Sequence, residues 1–290
     1  MLDLRTGSKL EDAIAAISRR TPIGSRLRTE GFAQIPAALR RRAVFSAGVE
    51  NGRFLSKVRR LILGALNGAR IDASGEETDD EEVGATIDRD LFAEEMRKIV
   101  LEEGLEEPDD SEDRGTLKDL GAYKRLELIF ETNLAQAQGL ASFRSAMVPA
   151  ILNSSPAFEL VRFEERNERR NWPNRWREAG GQFFGGPGAN PDYPDAPGRM
   201  IAPKTSPIWS EISRFGQPFP PFDFGSGMNY LSIGRGEAER LGVIEEGEQL
   251  DPPEEQDFNA DLSASLAGMD DGVAQALEAH FGGEIVIDLE

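Results

Sequence analysis

Between residues 72 and 116 the chain carries 19 Asp and Glu side chains against four Lys and Arg, and between 237 and 290 it carries 16 against one. Stretches this charged offer too little apolar surface to offset the entropy of ordering their backbone. Each block therefore has a net charge of −15, whereas residues 1–71 carry +9 and residues 117–236 only +2. The material for a core lies in the first and third blocks. This partition divides the 290 residues into a helical N-terminal region with acidic loops (1–116), a loop-rich α+β module (117–244) and an acidic tail with a helix (245–290). The expected fold class is α+β.

Charge and composition exclude several functions. A net charge of −19 opposes uniform coating of nucleic acid or of an anionic membrane. No stretch approaches 18 consecutive apolar residues, and the start at Met1 to Leu10 lacks a secretory pattern, so the expected location is cytoplasmic, with no membrane partner. With no cysteine, disulfides, thiolate nucleophiles and Cys-ligated metals are excluded, and the lone His280 excludes multi-His centres. No cofactor is expected. His280 reads as a helix-end residue rather than a base.

Hydrophobic spacing predicts the elements. Ser8-Lys-Leu-Glu11 has the form of a capping box ahead of Leu10, Ile14 and Ile17, and Thr21-Pro22 can open a further turn or helix. The runs Ile35 to Val49 and Phe54 to Leu66 are rich in helix formers. Residues 72–86 read as a solvated loop, since they match no EF-hand ligand spacing. Leu91, Phe92, Met96, Ile99 and Val100 mark an amphipathic helix opened by Asp88 and Asp90. The longest helix is expected over Thr116 to Met147, with Pro149 ending it and Ala135, Ala137, Gly139 and Ala141 offering a small-residue face. Phe158 to Phe163 alternates like a half-exposed strand, residues 245–257 read as an exposed linker, Phe258 to Phe281 as a helix and Ile285-Val-Ile287 as a short strand.

Two segments stand out chemically. Trp172 and Trp176 lie among Arg169, Arg170 and Arg175, a composition that suits a cation–π site or a stacking platform, or a Trp pair packed in a small core; the core is the favoured reading. In Phe219 to Met228, Pro220 and Pro221 stiffen the chain, Gly225 and Gly227 permit positive φ, and Phe219, Phe222 and Phe224 anchor the loop. Phe222 and Phe224 are expected against the small-residue helix face, with Asp223 and Ser226 satisfying the turn. Gly185-Gly-Pro-Gly188 lacks the Lys and Ser/Thr of a phosphate loop. The spaced carboxylates Glu127/Glu131 and Glu164/Glu168 leave open a carboxylate-dependent hydrolase of peptidoglycan or polysaccharide, although like charges at this spacing are common on solvated helix faces.

Several of these segments, in order and spacing, resemble the head-morphogenesis (minor head) proteins of tailed phages, the family named after protein F of phage Mu. The resemblance covers roughly residues 120–245: Ile129 to Gly139, Phe158 to Arg166, Ile208 to Ile212, Pro220 to Met228 and Gly236 to Val243. Many members carry a His after the Arg-rich stretch and a Cys pair where this chain has Gly225-Ser-Gly-Met228; both are replaced here. The resemblance implies a non-enzymatic protein of the virion head or prophage, present in the host cytoplasm during assembly, with portal and capsid proteins as partners. The basic N-terminal face, including Arg40, Arg41 and Arg42, then either meets an acidic portal surface or DNA near the portal, or pairs with the acidic 72–116 segment of the same chain. Trp172 and Trp176 are the other candidate contacts. An acidic adaptor unrelated to phages is a further alternative.

Overall fold

The computed structural model describes residues 52–165 and 170–253, Ile14, and the strand residues 21–22, 43–44, 263–265 and 286–288. The fold is α+β, in two compact units formed by residues 1–137 with 258–290 and by residues 138–257. Arg40, Arg41 and Arg42, the Ser8 cap and His280 lie outside the described residues, as do Glu168 and Arg169.

In the first unit, helix α1 (Gly52–Asn67) buries Phe54, Val58, Leu61 and Ile62 of the face that spacing predicts, with Leu66 partly buried, and adds Leu55. Helix α2 (Arg89–Glu102) presents Phe92, Met96, Ile99 and Val100 to the same core. Its N-cap is Asp88, whose carboxylate accepts the Leu91 N–H at 2.9 Å. The basic side chains off the α1 stripe meet the acidic segment. Lys57 reaches the buried Glu95 at 2.8 Å, Arg60 lies 3.5 Å from Glu76, and Arg53 pairs with Glu103. At Glu95 the paired Lys57 and Lys98 outweigh burial and hold the carboxyl below its ordinary range. Along α1, the basic face is thus engaged within the chain.

Residues 72–86 are largely exposed, as expected of a solvated loop, but are not irregular throughout. Three short strands, β3 (Arg70–Ile71), β4 (Glu77–Thr78) and β5 (Ala85–Thr86), make an antiparallel sheet with β3 in the middle. The Asp72 carboxylate closes the first turn by accepting the Ser74 and Glu76 N–H groups at 2.8 and 3.2 Å. Hydrogen bonding, led by the Ser74 hydroxyl, holds that carboxyl below its ordinary range. The ordering that this acidic run cannot support by its own burial is supported by the ladder and by Ile71 and Ile87, which plug into the core at its ends.

Helix α3 (Tyr123–Ala146) begins later than the Thr116 cap predicts. Asp119 accepts the N–H groups of Gly115 and Gly121 at 2.8 and 2.9 Å and so fastens the preceding residues as turns. Leu126, Ile129, Phe130 and Ala137 belong to the first core, which is why the units divide inside α3 rather than at residue 116. Thr21–Pro22 (β1) is not a helix start; it pairs in parallel with Ala43–Val44 (β2), itself within a run expected to be helical. The residue before a proline is biased to extended backbone, and β-branched Thr and Val favour it further. Ser263–Ser265 (β10) likewise replaces part of the helix expected over 258–281 and pairs in parallel with Val286–Asp288 (β11), close to the expected terminal strand.

The second unit is built on a four-stranded antiparallel sheet in the order β7-β8-β6-β9, with β6 Ala157–Arg162, β7 Phe183–Phe184, β8 Arg199–Pro203 and β9 Met228–Ile233. Strand β6 is paired on both sides and buried on both faces through Leu160, rather than half exposed. Phe158 and Leu160 face an aromatic core with Trp172, Trp176, Trp209 and Phe222. The opposite face packs Ala157, Ile201 and Ile233 under Ala238 of α7 (Arg235–Leu241) and Ile244. On that face Arg199 grips Glu159 at 2.9 and 2.6 Å and Glu237 at 2.6 Å, so the buried carboxylate of β6 is fully engaged. Short helices α4 (Pro149–Ser154), α5 (Trp172–Glu178) and α6 (Ile208–Glu211) complete the unit. Residues 245–253 are a strap rather than a free linker. Asn153 Oδ1 accepts the Leu250 N–H at 3.0 Å, Arg235 donates to the Glu248 carbonyl at 2.8 Å, and Leu250 packs against both cores.

Candidate functional site

The loop from Phe219 to Met228 is held from two directions. Phe219 and Pro220 press on α3: the Phe219 ring lies 5.8 Å from that of Phe143, and a Cβ on Gly139 would stand 1.8 Å from the Pro220 carbonyl oxygen. The small-residue face is used as expected, but by different partners. Phe222 points away into the aromatic core, where its ring lies 6.1 Å from Trp209, while Phe224 is half-buried and meets Phe215 edge-on at 4.8 Å. The Pro220-Pro221 bond is cis. Gly225 and Gly227 adopt the positive φ that their type permits, and at Gly227 a Cβ would stand 2.5 Å from the Glu164 carbonyl oxygen.

At the centre of this loop Asp223 is 2% exposed. Its Oδ2 takes Arg170 at 3.1 Å and Arg175 at 2.9 Å, and its Oδ1 takes Arg214 at 2.9 Å and the Phe224 N–H at 2.8 Å. Ser226 closes the turn by donating its N–H to the Asp223 carbonyl at 3.2 Å and accepting the Met228 N–H on Oγ at 3.3 Å. Turn satisfaction thus describes Ser226 and half of Asp223; the three arginines are the half that sequence spacing does not reveal. Arg170 also donates to the Phe224 carbonyl at 2.9 Å, and the Arg214 N–H to that of Phe222 at 2.8 Å. Arg175 projects from α5, whose N-cap Asn171 accepts the Asn174 N–H at 3.0 Å, and its guanidinium lies 4.8 Å over the Trp172 ring.

Trp172 and Trp176 are 1% and 0% exposed, so neither indole has a face to offer a nucleic acid or protein partner. They are wall rather than platform: Trp176 lies 5.4 Å from Trp209 and donates to the Gln182 carbonyl at 2.8 Å. Glu127 and Glu131 lie 2.6 and 3.8 Å from Arg89. Among the described residues no group of three or more His, Cys, Asp and Glu side chains converges to hold a metal, and no helix is long and apolar enough to cross a membrane.

Nothing in the sequence singles out Lys204. It is 1% exposed, and its Nζ has no hydrogen-bond partner but stands 4.8 Å over the Phe158 ring. Burial pushes the ammonium down to about 8. Tyr230 stacks on the same ring at 3.8 Å, its buried hydroxyl also without a partner, and burial pushes it up. Because the Lys204 pKa is lower in the folded state than its ordinary 10.5, the unfolded chain binds the extra proton between pH 8 and 10.5, and stability rises with pH across that window. Lys204→Met should therefore raise stability at pH 7 by about 3 kcal/mol and flatten this rise. Urea unfolding of both proteins from pH 7 to about 9 checks it, below the range where Tyr230 acts in the opposite sense. Equal pH profiles would show that Lys204 keeps its ordinary pKa.

Compared with protein-family models, with curated proteins and with solved structures, this chain finds no match.

Proposed function

We propose that this chain is a minor structural protein of a tailed-phage or prophage head, acting in procapsid assembly near the portal. One observation carries the reading: four of the sequence segments that resemble head-morphogenesis proteins fold together in the second unit. Phe158 to Arg166 includes most of β6, Ile208 to Ile212 contains α6, Pro220 to Met228 is the clasped loop and Gly236 to Val243 lies largely in α7. Their apolar side chains make a closed core rather than the lining of a cleft. A unit built in this way presents a fixed shape to its neighbours, as an assembly protein needs. Portal and capsid proteins are the proposed partners. The test is whether the chain co-purifies with procapsids at low copy, and whether it does so only when portal is present.

A further inference from the structure

Three cationic side chains meet one carboxylate at Asp223, so the cluster itself carries a net positive charge. Arg170, Arg175 and Arg214 have side-chain exposures of 48%, 28% and 31%, against 3% for Asp223, so the anion lies beneath and the cations form the rim. A guanidinium has five N–H donors. Arg170 commits one to Asp223 and one to the Phe224 carbonyl, and Arg175 commits one to Asp223. Both guanidiniums thus have N–H donors beyond the bonds described, on side chains that are partly exposed. Both forks are fixed before any ligand arrives, Arg170 by two oxygens and Arg175 by Asp223 and the Trp172 ring, so little side-chain entropy remains to be lost on binding.

We propose that Arg170 and Arg175 line a surface site for a phosphate group, with Asp223 as the residue that positions them. Two forks together offer more N–H donors than one carboxylate has lone-pair positions to accept them, whereas a phosphate group presents three or four oxygens. The site follows from the geometry around Asp223 and stands apart from the assembly role. Its ligand is either the free ion or the phosphodiester of a nucleic-acid strand.

The test follows the Nε–Hε resonances of Arg170 and Arg175 in the full chain. Sodium phosphate is titrated against sodium chloride at matched ionic strength. The expected result is a saturable shift of both resonances with phosphate alone, weakened at least about tenfold in Arg170→Gln. Arg175→Lys keeps the charge but loses the fork, and should weaken binding in the same direction if Arg170→Gln does not fold. A single-stranded oligonucleotide without terminal phosphates that moves the same two resonances identifies the phosphodiester as the source; one that leaves them in place while phosphate saturates identifies the free ion. A response that does not saturate, that chloride reproduces, or that Arg170→Gln retains in full would overturn the site.

Discussion

Asp223→Asn should destabilise the second unit by about 3 kcal/mol, the lower end of the cost of breaking a buried ion pair, because the partly exposed arginines can turn toward water. The amide keeps the shape of the carboxylate and can still accept the Phe224 N–H, which the carboxylate takes at 2.8 Å. What it removes is the charge that holds Arg170, Arg175 and Arg214 within 3.1 Å of one side chain. The three guanidiniums then repel one another around a neutral group, and the loop loses its tie to α5. Chemical denaturation of the two proteins measures the difference. A loss below about 1 kcal/mol would show that the arginines are surface decoration rather than a clasp.

Gly139→Ala should be destabilising although alanine is the better helix former by about 1 kcal/mol. The added Cβ would stand 1.8 Å from the Pro220 oxygen and 3.1 Å from the Phe219 ring. The obstacle is backbone, so α3 and the loop must separate, at a cost of about 1–3 kcal/mol or more. Gly236→Ala is the control. Gly236 lies in α7, and a Cβ at this position would meet nothing within 4 Å, so helix propensity acts alone and the change should stabilise by up to about 1 kcal/mol. Thermal unfolding should thus move in opposite directions for the same Gly→Ala change. Movement in the same direction would remove the close approach of α3 and the Pro-Pro loop from the account.

Much of the architecture is legible in the sequence because it depends on local pattern. The α1 and α2 stripes, the strand at Phe158, the positive-φ glycines of the loop and the burial of Trp172 and Trp176 follow from spacing and side-chain size. What is not legible depends on partners far along the chain. Asp223 reads as a turn residue until Arg170, Arg175 and Arg214 arrive from two other segments. The acidic sheet of β3 to β5 reads as loop because its order comes from a ladder and from two isoleucines at its ends. Residues 245–253 read as linker because Leu250 is their one large anchor, and its partner Asn153 lies in α4. Lys204 carries no sequence signal, since nothing local announces that a lysine is buried.

The most direct test of the assembly role is the protein composition of gradient-purified procapsids and filled heads from an induced lysogen, by quantitative peptide mass spectrometry. The account predicts peptides of this chain in the procapsid fraction at low copy relative to the major capsid protein, and their loss from shells assembled without portal. Absence of the chain from every particle fraction, while it is abundant in the soluble lysate, would contradict it.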